Sequence, residues 1–257
     1  MKKAYSVTNL ESIENVARDG NKIFPFLLKY KDNLRKYGEV NGPKGIVFHD
    51  FESATSVYSE TPLPAYTSRD LIHLCPSIEI WKQIYLDAIR ESNNEMAKTY
   101  FNELQLSDVA TIAAHEWTHH LNILGDFEGS DAENMWFEEG LCFYLPRKVL
   151  MSNKEFIRIT KVEEKLIEEF QKTFGTYTIN FFGQSDEGGF TGALYDYWRA
   201  TWLVTYLTET YLEGNIDGLL DLFEKWKGSG ERLIQDFIVS ELRIPHGQAK
   251  IIWLRKT

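Results

Sequence analysis

Only two of the 257 residues are cysteine, Cys75 and Cys142, and they stand far apart among apolar neighbours. That leaves no disulfide framework and no paired-cysteine metal knuckle; two small buried thiols in a reducing compartment are expected instead. Glycine (17) and proline (7) are too scarce for a collagen-like or low-complexity chain. No apolar run approaches the roughly eighteen residues of a membrane span. The opening MKKAYSVTNLESIENV has two lysines but no apolar stretch behind them, so no secretory signal is expected either. Positive charge is also short, with 28 Lys and Arg against 38 Asp and Glu and a net charge of -10. Such a surface repels phosphate backbones and anionic lipid, so the expected partners include no nucleic acid and no membrane. Cytoplasmic placement is the expectation that follows.

What is plentiful is core-forming material. Aromatic residues make up 14% of the chain and include seven Trp, which excludes a disordered protein. Helical patterns at about 11–18 and 24–37 are each followed by a glycine stop, Gly20 and Gly38. Strands are expected at 45–49 and 70–76, separated by a loop containing Pro62 and Pro64. The second strand is a candidate sheet edge along a cleft, able to pair with an extended peptide. From residue 78 onward nearly everything has helical period: 78–91, 94–104, 107–124, 131–145, 154–174, 193–211, 216–226 and 231–242. A glycine-rich break at 183–192 interrupts the series. The expected class is α+β, with a small mixed sheet in the N-terminal part, a mostly helical C-terminal part and an active-site cleft between them.

The helix expected at 107–124 carries the chemistry. Ser107 suits its N-cap and Gly125 its left-handed stop, while Val109, Ile112, Ala113, Trp117 and Leu121 recur at helical spacing. On it lies HEWTH, an HExxH motif. His115 and His119 fall one turn apart on the same face, where two imidazoles can meet one tetrahedral ion at about 2.0–2.1 Å. Glu116 is rotated about 100° from His115, so its carboxylate reaches a water on that ion without being a ligand. His120 lies off the metal face, and His49, His73 and His246 belong to no second motif. A third ligand is required. Ser130 and Glu133 form a capping box opening the helix expected at 131–145, which holds the adjacent carboxylates Glu138 and Glu139. An acidic group in so apolar a helix is costly unless paired or metal-bound. The two point about 100° apart, so only one faces the histidines.

HEWTH followed by WFEEGLCFY at 136–144 resembles the gluzincin zinc peptidases, in their small peptidase-MA-like branch. In that family the glutamate before the glycine is the third ligand. The resemblance therefore implies a zinc ion held by His115, His119 and Glu139, with Glu138 an outward neighbour. A later stretch, YWRATWLVTYL at 197–207, is similar to the family's tyrosine helix and implies Tyr197 as the phenol that stabilises an oxyanion, with Tyr195 the alternative. The resemblance spans roughly residues 105–240. It implies a zincin-like unit over 1–257, with an α/β lobe (1–125) ending in the HExxH helix and a helical lobe (126–257). Two departures stand out. Phe143 occupies the position where some gluzincins place an aspartate behind a histidine, leaving Asp126, Asp131 or a backbone carbonyl for that task. The motif that grips a substrate amino terminus in aminopeptidases is absent, so aminopeptidase specificity is not implied.

The expected activity is hydrolysis of peptide bonds in a peptide or protein substrate. Zn²⁺ lowers the pKa of a bound water to about 7 and polarises the carbonyl. Glu116 acts as general base and then donates to the leaving amine, and Tyr197 stabilises the oxyanion. The alternatives are a zincin-like binding module without catalysis, and a metallohydrolase of a non-peptide amide.

Overall fold

The strand GIVFH is buried at every position, which requires both of its faces to be covered. It is β2 (Gly45–His49), and it runs between β1 (Lys2–Ser6) and β4 (Leu71–Leu74), parallel to each. β3 (Ala65–Ser68) pairs antiparallel with β4, so the sheet has the order β1-β2-β4-β3. This computed structural model describes residues 1–59, 63–68, 70–124, 132–183 and 189–254. Its fold is mixed α+β and 67% helical, with the small sheet in the N-terminal part and a mostly helical C-terminal part.

The sheet departs from expectation at its rims. The strand expected at 70–76 is an inner strand, and the edge beside it is β3, in a stretch expected to be loop. β1 is likewise unsignalled by pattern, because three of its five residues are exposed and a rim strand shows little hydrophobic alternation.

α1 (Ile13–Leu34) replaces the two short helices expected at 11–18 and 24–37 and runs unbroken through Gly20 and Pro25. Gly20 does not stop it. A Cβ there would come within 2.6 Å of Phe48 Cγ, so the glycine lets α1 lie close on β2. Strand alternation puts Ile46 and Phe48 on that face together with Ile72 and Leu74, and register carries Thr67 of β3 to the same face. The helix that bears HExxH, α4 (Leu106–Thr118), packs against α1, β3 and β4. α2 (Ile78–Ala88) and α3 (Glu95–Asn102) precede it.

The remaining helices are α5 (Met135–Leu150), α6 (Asn153–Phe174), α7 (Gly189–Tyr211), α8 (Ile216–Ser229), α9 (Ile234–Glu241) and α10 (His246–Leu254). The chain forms two compact units. One comprises Met1–Arg90, Lys98–Gly125 and Leu145–Phe156; the other comprises Glu91–Ala97, Asp126–Tyr144 and Ile157–Thr257. The second unit is built on aromatic contacts such as Phe137 stacked on Phe223 and Trp136 against Trp253. In it the Asn134 side chain donates to the Arg232 carbonyl and accepts from the Ile234 amide, tying the entry of α5 to that of α9. Cys75 and Cys142 are buried free thiols. Among the described residues no helix is long and apolar enough to cross a membrane.

Candidate metal centre

α4 begins one residue before the serine expected to cap it. Gln105 is the N-cap, and Gln105 and Asp108 exchange side-chain-to-backbone bonds in a capping box. Alanines at 110, 113 and 114 let neighbours close on the helix, so nearly everything from Val109 to Thr118 is buried. At its C-terminal end Thr118 bonds the Tyr30 hydroxyl at 2.6 Å and donates to the Ala114 carbonyl, which fastens the turn to α1. His119 is the C-cap, with φ -56° and ψ -18°, so it continues the helical path although the regular bonding ends before it. The one-turn relation of the two histidines therefore survives. Their Nε2 atoms face each other at 3.1 Å, with the rings edge to face.

Glu139, on α5, completes the cluster. One donor atom from each of His115, His119 and Glu139 lies within 4.8 Å of the other two, close enough for all three to bind one metal ion. The next residue sets the position of that carboxylate's helix. A Cβ at Gly140 would fall 2.5 Å from the Ala200 carbonyl oxygen, so only glycine lets α5 approach α7 this closely. Glu138 is not the outward neighbour expected. It is 9% exposed, because α5 is enclosed on almost every side and a 100° turn does not bring a side chain to water. Burial first, and then the charge of Glu139, raise its carboxyl to about pKa 7, with Lys227 acting in the opposite direction.

Glu116 is buried as well, and its two oxygens have different surroundings. Oε1 lies 4.0 Å from His115 Nε2. Oε2 accepts a hydrogen bond from the Thr67 hydroxyl at 3.0 Å, and the same hydroxyl is 3.3 Å from the Glu116 carbonyl. Sequence reasoning misses Thr67, because its strand lies in a stretch that reads as loop. AYTS after Pro64 shows no alternation of apolar and polar residues that would signal a strand.

The other expected residues fall out as follows. Tyr197 is half-buried on α7, edge-on to both Phe143 and Phe182. Tyr195 is 1% exposed and donates to the Gly175 carbonyl at 3.1 Å, a core role. His120 Nδ1 pairs with the Asn41 carbonyl, away from the other two imidazoles. His49 and His73 are buried and bonded to one another, Nε2 to Nδ1 at 2.9 Å, and His49 also meets Ser53 Oγ. On α6, Glu163 is buried and Glu169 accepts bonds from Ser92 and Asn93. Gly125, Asp126, Ser130 and Asp131, and most of the 183–189 loop, lie outside the described residues.

No family model matches the chain, and neither a curated protein nor a solved structure matches it.

Proposed function

We propose that the chain is a zinc-dependent metallopeptidase of the gluzincin type, with a zincin-like fold. The observation that carries this reading is the convergence of two imidazoles and one carboxylate from separate helices, with a further buried carboxylate, Glu116, directly beside them. The donor set suits zinc. Two nitrogens on one tetrahedral ion at about 2.05 Å stand roughly 3.3 Å apart, and the two Nε2 atoms here are 3.1 Å apart. A purely structural metal site has no use for Glu116, whereas hydrolysis requires a base there.

His115, His119 and Glu139 would hold the ion. When bound, zinc supplies Lewis-acid polarisation of the scissile carbonyl and makes a water more acidic. Glu116 takes the proton of the attacking water and delivers it to the leaving amine, which is general acid–base work for one carboxylate. Burial of Glu116 keeps competing water off that carboxylate. The Tyr197 hydroxyl donates to the oxyanion; loss of one such donor typically costs about 2.7–4 kcal/mol of barrier.

The test is metal analysis of purified protein together with cleavage of an unfolded protein substrate, with and without chelator. Stoichiometric zinc and chelator-sensitive cleavage are expected. Glu116→Gln should retain the zinc and lose turnover, and Tyr197→Phe should lower turnover with metal content intact. Absence of zinc, or cleavage by Glu116→Gln at the wild-type rate, ends the reading.

A further inference from the structure

We infer that Thr67 is a positioning residue for Glu116: its hydroxyl fixes one carboxylate oxygen so that the other is presented to the histidine side. This deepens the peptidase reading and rests on it. Thr67 stands on the edge strand β3 and is itself exposed; register with Ile72 puts it on the side of the sheet where α4 packs. The neighbouring Tyr66 points to the opposite face, stacked on His73 with its hydroxyl donating to the Ala54 carbonyl. The two faces of this short strand are therefore committed to different tasks.

The Thr67 hydroxyl has one proton and two oxygens of Glu116 within reach. The carboxylate oxygen is the nearer, 3.0 Å against 3.3 Å for the carbonyl. A donor on an ionised carboxylate makes a stronger bond than one between neutral groups. It holds Glu116 in one rotamer. With Oε2 so engaged, Oε1 is the oxygen on the side of His115 Nε2. A base must lie within hydrogen-bond reach of the proton it removes, and a carboxylate free to rotate spends part of its time out of line. The threonine does no chemistry itself. It is β-branched and suits an edge strand, so valine replaces it with the same shape and no hydroxyl.

The experiment compares wild type, Thr67→Val and Thr67→Ser in three measurements: zinc stoichiometry, kcat and KM on a peptide substrate, and the crystal structure. Thr67→Val should bind zinc as wild type does and keep KM, with kcat lower by about tenfold, the scale of one lost bond to a charged group. Thr67→Ser should recover most of that loss. In the Thr67→Val crystal, the Glu116 carboxylate should leave its wild-type rotamer, while in Thr67→Ser it should stay. A Thr67→Val enzyme with wild-type kcat, or a Thr67→Val crystal with Glu116 unmoved, overturns the inference. If wild type cleaves no peptide, the peptidase reading fails, and the position of Glu116 in the crystals still decides whether Thr67 holds it.

Discussion

Replacing Gly140 with alanine opposes two effects of known size. In a helix interior alanine is favoured over glycine by about 0.8–1.0 kcal/mol, so propensity alone makes the substitution stabilising. Packing works against it. The new methyl would sit 2.5 Å from the Ala200 carbonyl oxygen and 2.7 Å from Val204 Cγ2, where ordinary contact begins at 3.4 Å. The nearest obstacle is backbone within α7, so it cannot swing aside as a side chain would; α5 and α7 must separate by most of an ångström. Overpacking of this kind typically costs about 1–3 kcal/mol, and a rigid obstacle puts the cost at the upper end. The net expectation is a loss of about 1–2 kcal/mol. At about 2–4 °C per kcal/mol this lowers the melting temperature by several degrees. Gly228 is the control. It lies within α8 with nothing within 4 Å of a Cβ, so Gly228→Ala should leave stability unchanged or raise it by up to about 1 kcal/mol. Circular dichroism melts of the two variants beside wild type measure both. Glu139 adjoins the displaced position, so Gly140→Ala should also bind zinc more weakly, whereas Gly228→Ala should bind it normally. A Gly140→Ala protein that melts at or above the wild-type temperature would refute the close-approach argument for this glycine.

Two further outcomes are expected. Glu139→Gln should weaken zinc binding far more than Glu138→Gln, measured by competition with a chromogenic chelator; equal effects would remove Glu139 from the ligand set. The His49–His73 pair should make stability depend on pH. Burial is the main cause lowering His49 from 6.5 to about 4, and it lowers His73 as well, so the folded state keeps both imidazoles neutral. The unfolded chain takes up protons below about 6.5. Stability is therefore full above that value, falls as pH drops towards 4 and levels off below it. For His49 alone the loss amounts to at most about 3 kcal/mol. Urea midpoints between pH 7 and 4 measure it, and a slope unchanged in His49→Gln would show that another group is responsible.

What the sequence reveals of this fold follows the range of the interactions involved. Helices α2 to α9 are marked by the helical recurrence of their apolar residues and strand β2 by a short continuous apolar run, both properties of the local chain. HExxH is legible for the same reason. The four-residue spacing that puts His115 and His119 together is a property of one helix, and the C-cap geometry of His119 does not disturb it. What the sequence hides depends on partners distant along the chain. Gly20 looks like a helix stop until Phe48 is placed against it, and Glu138 looks exposed until the neighbours of α5 are known. β3 is too short to show an alternation, yet it supplies the hydroxyl that meets Glu116 from 49 positions away. Gly140 joins the two kinds of information. Its place after Glu139 is visible in the sequence, but its necessity lies in a carbonyl of α7, 60 positions further on. The carboxylate of this cluster, unlike its two histidines, is thus held by a helix contact that local pattern cannot encode. In this chain, helix packing and the geometry of the His115, His119 and Glu139 cluster are one constraint, and substitutions at Gly140 should disturb both together.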